Sequence, residues 1–309
     1  MPEKKSWSGI WKVIKQSFSG FSDDKVPKLS ASLSYCTIFS FAPLLIVIIY
    51  AGSLFFGREA VEGSIYNQIQ HLVGKDTALQ IQQILKSAAI SGNGHTAMII
   101  GIVTLIIGAT SIFAEVQDSI NTIWGIKAKP HSGIKAMIKN RLLSFGVVGS
   151  LGFLLLVSLA VSAMVEGVGN QLRHILPSFS IIVIYIINLL ITFGVTTLLF
   201  AVIFKVLPDA KITWSDIWVG ALVTAFLFNL GKLGIALYIS KSKISSSYGT
   251  AGALVIMLVW IYYSSIILYY GAEFTKSWAV KYRTGIKPAS YAVVVETKEV
   301  EQPNATIKA

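Results

Sequence analysis

The sequence predicts an all-α fold: a polytopic membrane bundle of six transmembrane helices, with an N-terminal amphipathic helix and a short extracytoplasmic helical hairpin. Three observations carry this. Apolar residues make up 54% of the 309 positions and charged residues only 13%, where a soluble domain carries roughly 25% charged residues. Six apolar stretches are long enough to cross about 30 Å of hydrocarbon. The basic residues gather on alternate ends of those stretches.

The spans read as 35–56, 97–116, 142–165, 181–207, 217–240 and 249–272. Backbone groups in lipid have no water to bond, so each span is expected to be a helix. With the N-terminus placed in the cytoplasm, 19 of the 26 Lys and Arg residues fall in inside segments, among them Lys127, Lys129, Lys205, Lys211, Lys281 and Arg283. This predicts both termini in the cytoplasm of a bacterial inner membrane. It also explains the net charge of +11, because basic loops suit an anionic inner leaflet. Nucleic acid is not an expected partner; membrane lipids are, and a homo-oligomer is compatible with the sequence.

Residues 1–34 read as a cytoplasmic arm rather than a cleavable signal, because no apolar core follows the first basic residues directly. Trp7, Ile10, Trp11, Ile14 and Phe18 recur at helical spacing, with Lys12 and Lys15 between them. That pattern predicts an amphipathic helix at the membrane surface or packed on the bundle. Between the first two spans, stripes at Ile65, Ile69, Leu72, Val73 and at Leu79, Ile81, Ile84, Leu85 flank Gly74-Lys75-Asp76. They predict two short helices joined by a turn. The membrane domain is placed at 35–284, and a disordered tail at 285–309, rich in Lys, Glu, Thr and Pro.

Candidate pathway or polar-network residues are those set in or at the ends of spans, where polarity is costly. Glu115, Asp118 and Thr122 share a helix face with Asn121 beside them. Asn188 sits in the fourth span, and Asn229 and Lys232 lie one turn apart in the fifth. Glu273 closes the sixth, with Lys276 at i+3 as an ion-pair partner. No catalytic residue, cofactor or metal site is expected. The chain lacks a His-Glu-x-x-His pattern, a phosphate loop and a Gly-x-Ser-x-Gly elbow. Its histidines, His71, His95, His131 and His174, are expected in loops on both sides of the membrane. The single cysteine, Cys36, excludes an internal disulfide.

Several segments together carry a family resemblance. They are "LSASLSYCTIFSFAPLLIV" in the first span, "INTIWG" after the second, "DIWVGALVTAFLFNLGKLGIALYI" in the fifth and "YGTAGALVIMLVWIYYSSIILYYGAEF" in the sixth. Over about residues 25–283 the chain resembles the YihY/BrkB family of bacterial inner-membrane proteins, once labelled ribonuclease BN. The resemblance implies six helices with cytoplasmic termini. It brings no substrate or catalytic residue. The expected function is permease-like, for a small solute, ion or lipid. A non-transporting membrane scaffold or envelope-maintenance factor is the alternative, and a ribonuclease ranks last.

Overall fold

A computed structural model describes residues 6–40, 94–129, 179–241, 252–283 and 285–295, with isolated helical positions between 63 and 83. Six helices and four short strands are described. They are α1 (Trp7–Asp23), α2 (26–40), α3 (Gly94–Ile123), β1 (Ile126–Ala128), α4 (Phe179–Val206), β2 (Ala210–Lys211), α5 (Trp214–Lys241), α6 (Gly252–Tyr282), β3 (Lys287–Pro288) and β4 (Ala292–Val294). Among the described residues three stretches, Leu189–Val206, Trp214–Ile235 and Leu254–Tyr282, are long and apolar enough to cross a membrane. The expected third span, 142–165, lies outside the described residues, as do most of the expected hairpin and residues 41–56 of the first span.

Helix ends follow local chemistry. Ser6 caps α1, its Oγ accepting from the Gly9 N–H at 3.1 Å. The helix closes at Asp24, whose N–H bonds to Gly20 O, and Lys25 turns the chain with a left-handed φ of 52°. The Lys25 carbonyl then accepts from Lys28 and Leu29 to start α2. Pro27 fits there because the first turn of a helix leaves its N–H groups unpaired. Helix α5 opens at Thr213, whose hydroxyl donates to Asp216 while its carbonyl accepts from the N–H groups of Asp216 and Ile217.

Antiparallel α5 and α6 approach through small residues. A methyl placed on Gly220 would overlap the Thr275 hydroxyl, and one on Gly271 would overlap the Thr224 hydroxyl. Each threonine turns its hydroxyl into its own helix, Thr224 to Gly220 O and Thr275 to Gly271 O, both at 2.7 Å. The same hydroxyl oxygen, with the Cβ behind it, fills the notch that the facing glycine leaves. Close backbone approach of this kind is how apolar helices associate where water supplies no driving force. Higher on the pair, Gly231 receives the Tyr263 ring, and the Tyr263 hydroxyl donates to Leu227 O at 3.2 Å.

The main core joins α2 through α6: Leu33, Ile120, Ile123, Phe204, Ile217, Ala221, Tyr269 and Ala272 are all buried in it. Helix α1 lies along α6, with Gly9 against the Tyr282 ring and Gly20 against Glu273. Val13 joins Phe274, Trp278 and Tyr282 in a smaller buried cluster. Small residues line this face of α1, with Gly9, Val13 and Ser17 buried.

Three expectations change. Helix α6 does not stop near Ala272 but runs to Tyr282. Gly271 is a packing notch rather than a terminator, and the end comes at Gly285, whose φ is +75° and whose N–H bonds back to Ala279 O. Disorder was expected from residue 285, yet 285–295 form β3 and β4. Strand β4 pairs antiparallel with β1 (Ile126 opposite Val294), and β3 with β2 (Ala210 opposite Pro288). Ala292 is buried and Ile286 and Ala289 pack on the core, so burial holds a segment whose composition reads as unstructured. His95, expected in a loop, lies in the first turn of α3.

Candidate functional site

The end of α3 and the turn after α4 meet in a polar clamp. The carboxylate of Asp209 is 4% exposed. Gln117 Nε2 donates to its Oδ1 at 3.0 Å and Asn121 Nδ2 to its Oδ2 at 2.8 Å. The Asp209 backbone N–H returns a bond to Asn121 Oδ1 at 2.9 Å, and its carbonyl accepts from the Ala289 N–H at 2.9 Å. Gln117 and Asn121 reach the same carboxylate because they lie one helical turn apart on one face. Such pairing is what makes a carboxylate tolerable inside a protein. Tyr291, from the β3–β4 turn, stands beside it. Burial first, and then the Asp209 charge and hydrogen bond, raise the Tyr291 phenol above its ordinary pKa.

A cavity of about 490 Å³ opens beside the clamp, lined by residues that include Asp118, Asn121, Thr122, Lys127 and Asp209. Gly125 turns the chain out of α3 with a φ of 65°, and its carbonyl accepts from Val295 at 2.8 Å, joining β1 to the end of β4. The lining therefore holds the exposed carboxylate of Asp118, the buried one of Asp209 and the exposed Lys127. Such a lining offers acceptors and a cation to a small polar or charged solute. Nearby, Trp124 Nε1 donates to Ala272 O at 3.0 Å, fixing the end of α3 against α6.

Of the seven residues expected from sequence, Asp118 and Asn121 line this cavity. Glu115 is half-buried on α3, where its charge bears on Cys36 and Tyr269. Glu273 is buried between α1 and α6, 3.8 Å from Lys276, which reaches closer to Asp24 at 3.0 Å. Asn229 is half-buried, and its amide donates to Ala225 O in its own helix at 2.8 Å. Lys232 is exposed on α5. Asn188 belongs to α4, and its side chain lies outside the described residues.

Gln117, Asp209, Asp216 and Tyr291 escaped the sequence reading. Asp209 follows Pro208 in "LPDAK", which reads as a turn after a span. Asp216 is buried at the start of α5, bonded by Thr213 and 3.4 Å from Arg283 Nε. One signal was available: Thr213 three residues before an acid and an apolar run marks a helix start. Among the described residues no group of three His, Cys, Asp or Glu side chains is placed to hold a metal ion.

Comparison with known proteins finds relatives that are named as membrane proteins. The chain is 29% identical over 254 residues to a UPF0761 membrane protein of Pseudoalteromonas translucida, covering 82% of this chain and 81% of that one. It is 27% identical over 255 residues to a UPF0761 membrane protein of Ralstonia nicotianae, covering 81% of this chain and 55% of the relative, so it spans about half of that protein's length. A third such protein, from Methylibium petroleiphilum, is 26% identical over 302 residues, covering 96% of this chain and 65% of the relative. No solved structure matches. The family described as Virulence factor BrkB matches residues 17–292, from the last turns of α1 into β4; the chain is a membrane protein and belongs to the BrkB family.

Proposed function

We propose that this protein is a permease-like, multi-pass protein of the bacterial inner membrane that moves a small solute, ion or lipid, with both termini cytoplasmic. The cavity of about 490 Å³ at the basic end of the bundle carries this reading, because it gathers Asp118, Asn121 and Asp209 around one opening. A polar line continues from it along α3 to Glu115 and towards the buried Ser119 and Tyr269. Polar groups set into an apolar bundle are the parts of a solute path. In this reading Asp118 attracts a cationic group at the mouth, Asp209 is fixed in place by its donors Gln117 and Asn121, and Glu115 offers the next carboxylate inward. The protein acts without a catalytic residue or cofactor.

Purified protein in proteoliposomes tests it. Flux of a small cation or zwitterion, lowered severalfold by Asp118→Asn and by Glu115→Gln, is the expected result. Equal flux in parent and both variants removes these residues from the path. The scaffold reading draws on a different observation: Val293 and Val294 are exposed on β4, with Val295 exposed just after it, and this strand pairs only with β1 among the described residues. An open edge accepts a further strand from a partner. That reading predicts stable partner capture without flux.

A further inference from the structure

Helix α1 has two apolar faces. Gly9, Val13 and Ser17 pack on α6. Trp7 and Trp11 point away from α6, and Phe18 lies on their side of the helix with one edge against the Tyr270 ring of α6 at 5.1 Å; the three are 91%, 69% and 60% exposed. At 3.6 residues per turn these three side chains share a stripe about 40° wide. Lys12 and Lys15, both exposed, follow it along one flank. Three large aromatic groups held in water by a well-anchored helix are unfavourable, and such a patch marks a contact surface.

The packing register says where that surface stands. Gly9 meets Tyr282 and Gly20 meets Glu273, so α1 runs antiparallel to α6 over its last three turns. Thr275 meets Gly220 across the α5–α6 contact. The stripe is therefore level with the first turns of α5, where Trp214 and Trp218 are also exposed. Tryptophans at one height on separate helices mark the edge of a bilayer. Lysines beside them select anionic headgroups.

We propose that the Trp7–Trp11–Phe18 face of α1 binds anionic phospholipid, and that α1 enters the leaflet upright beside α6 instead of lying flat on it. The inference is independent of whether the bundle transports anything. It fixes a direction: Phe18 is the deep end and Trp7 the shallow one, with about 16 Å of helix between them. A helix lying in the surface plane would hold both at one depth.

Spin labels on the full chain test this, with Cys36→Ser removing the single native thiol. Labels go at Trp7→Cys, Trp11→Cys, Phe18→Cys and, on the opposite side of α1, Gln16→Cys. Each variant is used only if it keeps the parent's helicity and elution profile. Collision with oxygen and with a water-soluble nickel chelate is read in vesicles of phosphatidylcholine alone and of an equal mixture with phosphatidylglycerol. The expected result is lipid exposure at positions 7, 11 and 18, deepening in that order, with position 16 aqueous. Lys12→Gln with Lys15→Gln, or loss of phosphatidylglycerol, draws the position 11 label severalfold towards nickel accessibility. Aqueous labels at all four positions overturn the proposal. So does shielding from both collision partners at 7, 11 and 18, which means a protein surface covers the stripe. Equal depth at 7 and 18 overturns the upright placement, and no dependence on phosphatidylglycerol overturns the anionic preference.

Discussion

Replacing Asn121 by leucine removes the centre of the clamp while nearly keeping its volume. The parent residue makes one bond to the Asp209 carboxylate at 2.8 Å and accepts one from the Asp209 N–H at 2.9 Å. A hydrogen bond to a charged group contributes about 1.5–3 kcal/mol and a neutral one about 1 kcal/mol, so Asn121→Leu costs about 2.5–4 kcal/mol. Asp209→Asn is a milder change. The Gln117 amide, which bonds Oδ1 at 3.0 Å, can turn over and accept from the new amide, while Asn121 keeps both of its bonds. That substitution costs about 1 kcal/mol. Thermal unfolding of detergent-solubilised protein, followed by intrinsic fluorescence and by loss of the monodisperse elution peak, ranks the pair. Asn121→Leu should melt well below Asp209→Asn, which should melt slightly below the parent. If Asn121→Leu matches the parent, or Asp209→Asn is the worse of the two, the clamp does not hold α3 to the α4–α5 turn.

Gly271→Ala should destabilise the α5–α6 contact by about 1–3 kcal/mol, the usual cost of overpacking, and Thr224→Gly in the same chain should recover part of the loss; a double-mutant cycle by thermal unfolding measures the coupling. Because the folded chain raises the Tyr291 pKa, the neutral phenol is the form favoured by folding. Its contribution is complete below about pH 10, the free phenol value, and is lost as pH rises through the folded value. A melting-temperature series into alkali should therefore fall less steeply in Tyr291→Phe than in the parent. Lys232→Gln should leave both flux and melting temperature unchanged, since Lys232 is exposed on α5, whereas Asp118→Asn lowers flux; matched proteoliposome assays compare the two.

Apolar run length made the helices legible, and Asp118 and Asn121 stood out as polar residues at the end of one. Their ends were harder to read. Glu273 and Lys276 look like the water-facing close of a span, yet α6 continues past them because α1 lies over that segment with Gly20 against Glu273. Hydropathy along one helix carries no information about a neighbour supplying a glycine. The clamp was illegible for a related reason: Asn121 and Asp209 are 88 residues apart, and nothing local distinguishes Asp209 from an ordinary turn aspartate. The strands span two or three residues each, too few to show a period of two. Their pairing depends on burial of Ala292 and on a glycine at 125, features whose weight appears only once both ends of the chain meet.

Two threonines seated in two glycine notches make α5 and α6 a keyed shaft. Sliding one helix past the other by a single turn, about 5.4 Å, would require both keys to lift at once. Helix α4 packs along the same shaft, Phe200 edge-on to Phe228, so the register set by the two keys extends to it. Helix α3 is pinned to this unit at its last turn, by the Trp124 indole on Ala272 and by Asn121 on Asp209 in the turn that joins α4 to α5. A push on that one turn of α3 is therefore felt by a block of three helices rather than by a single neighbour.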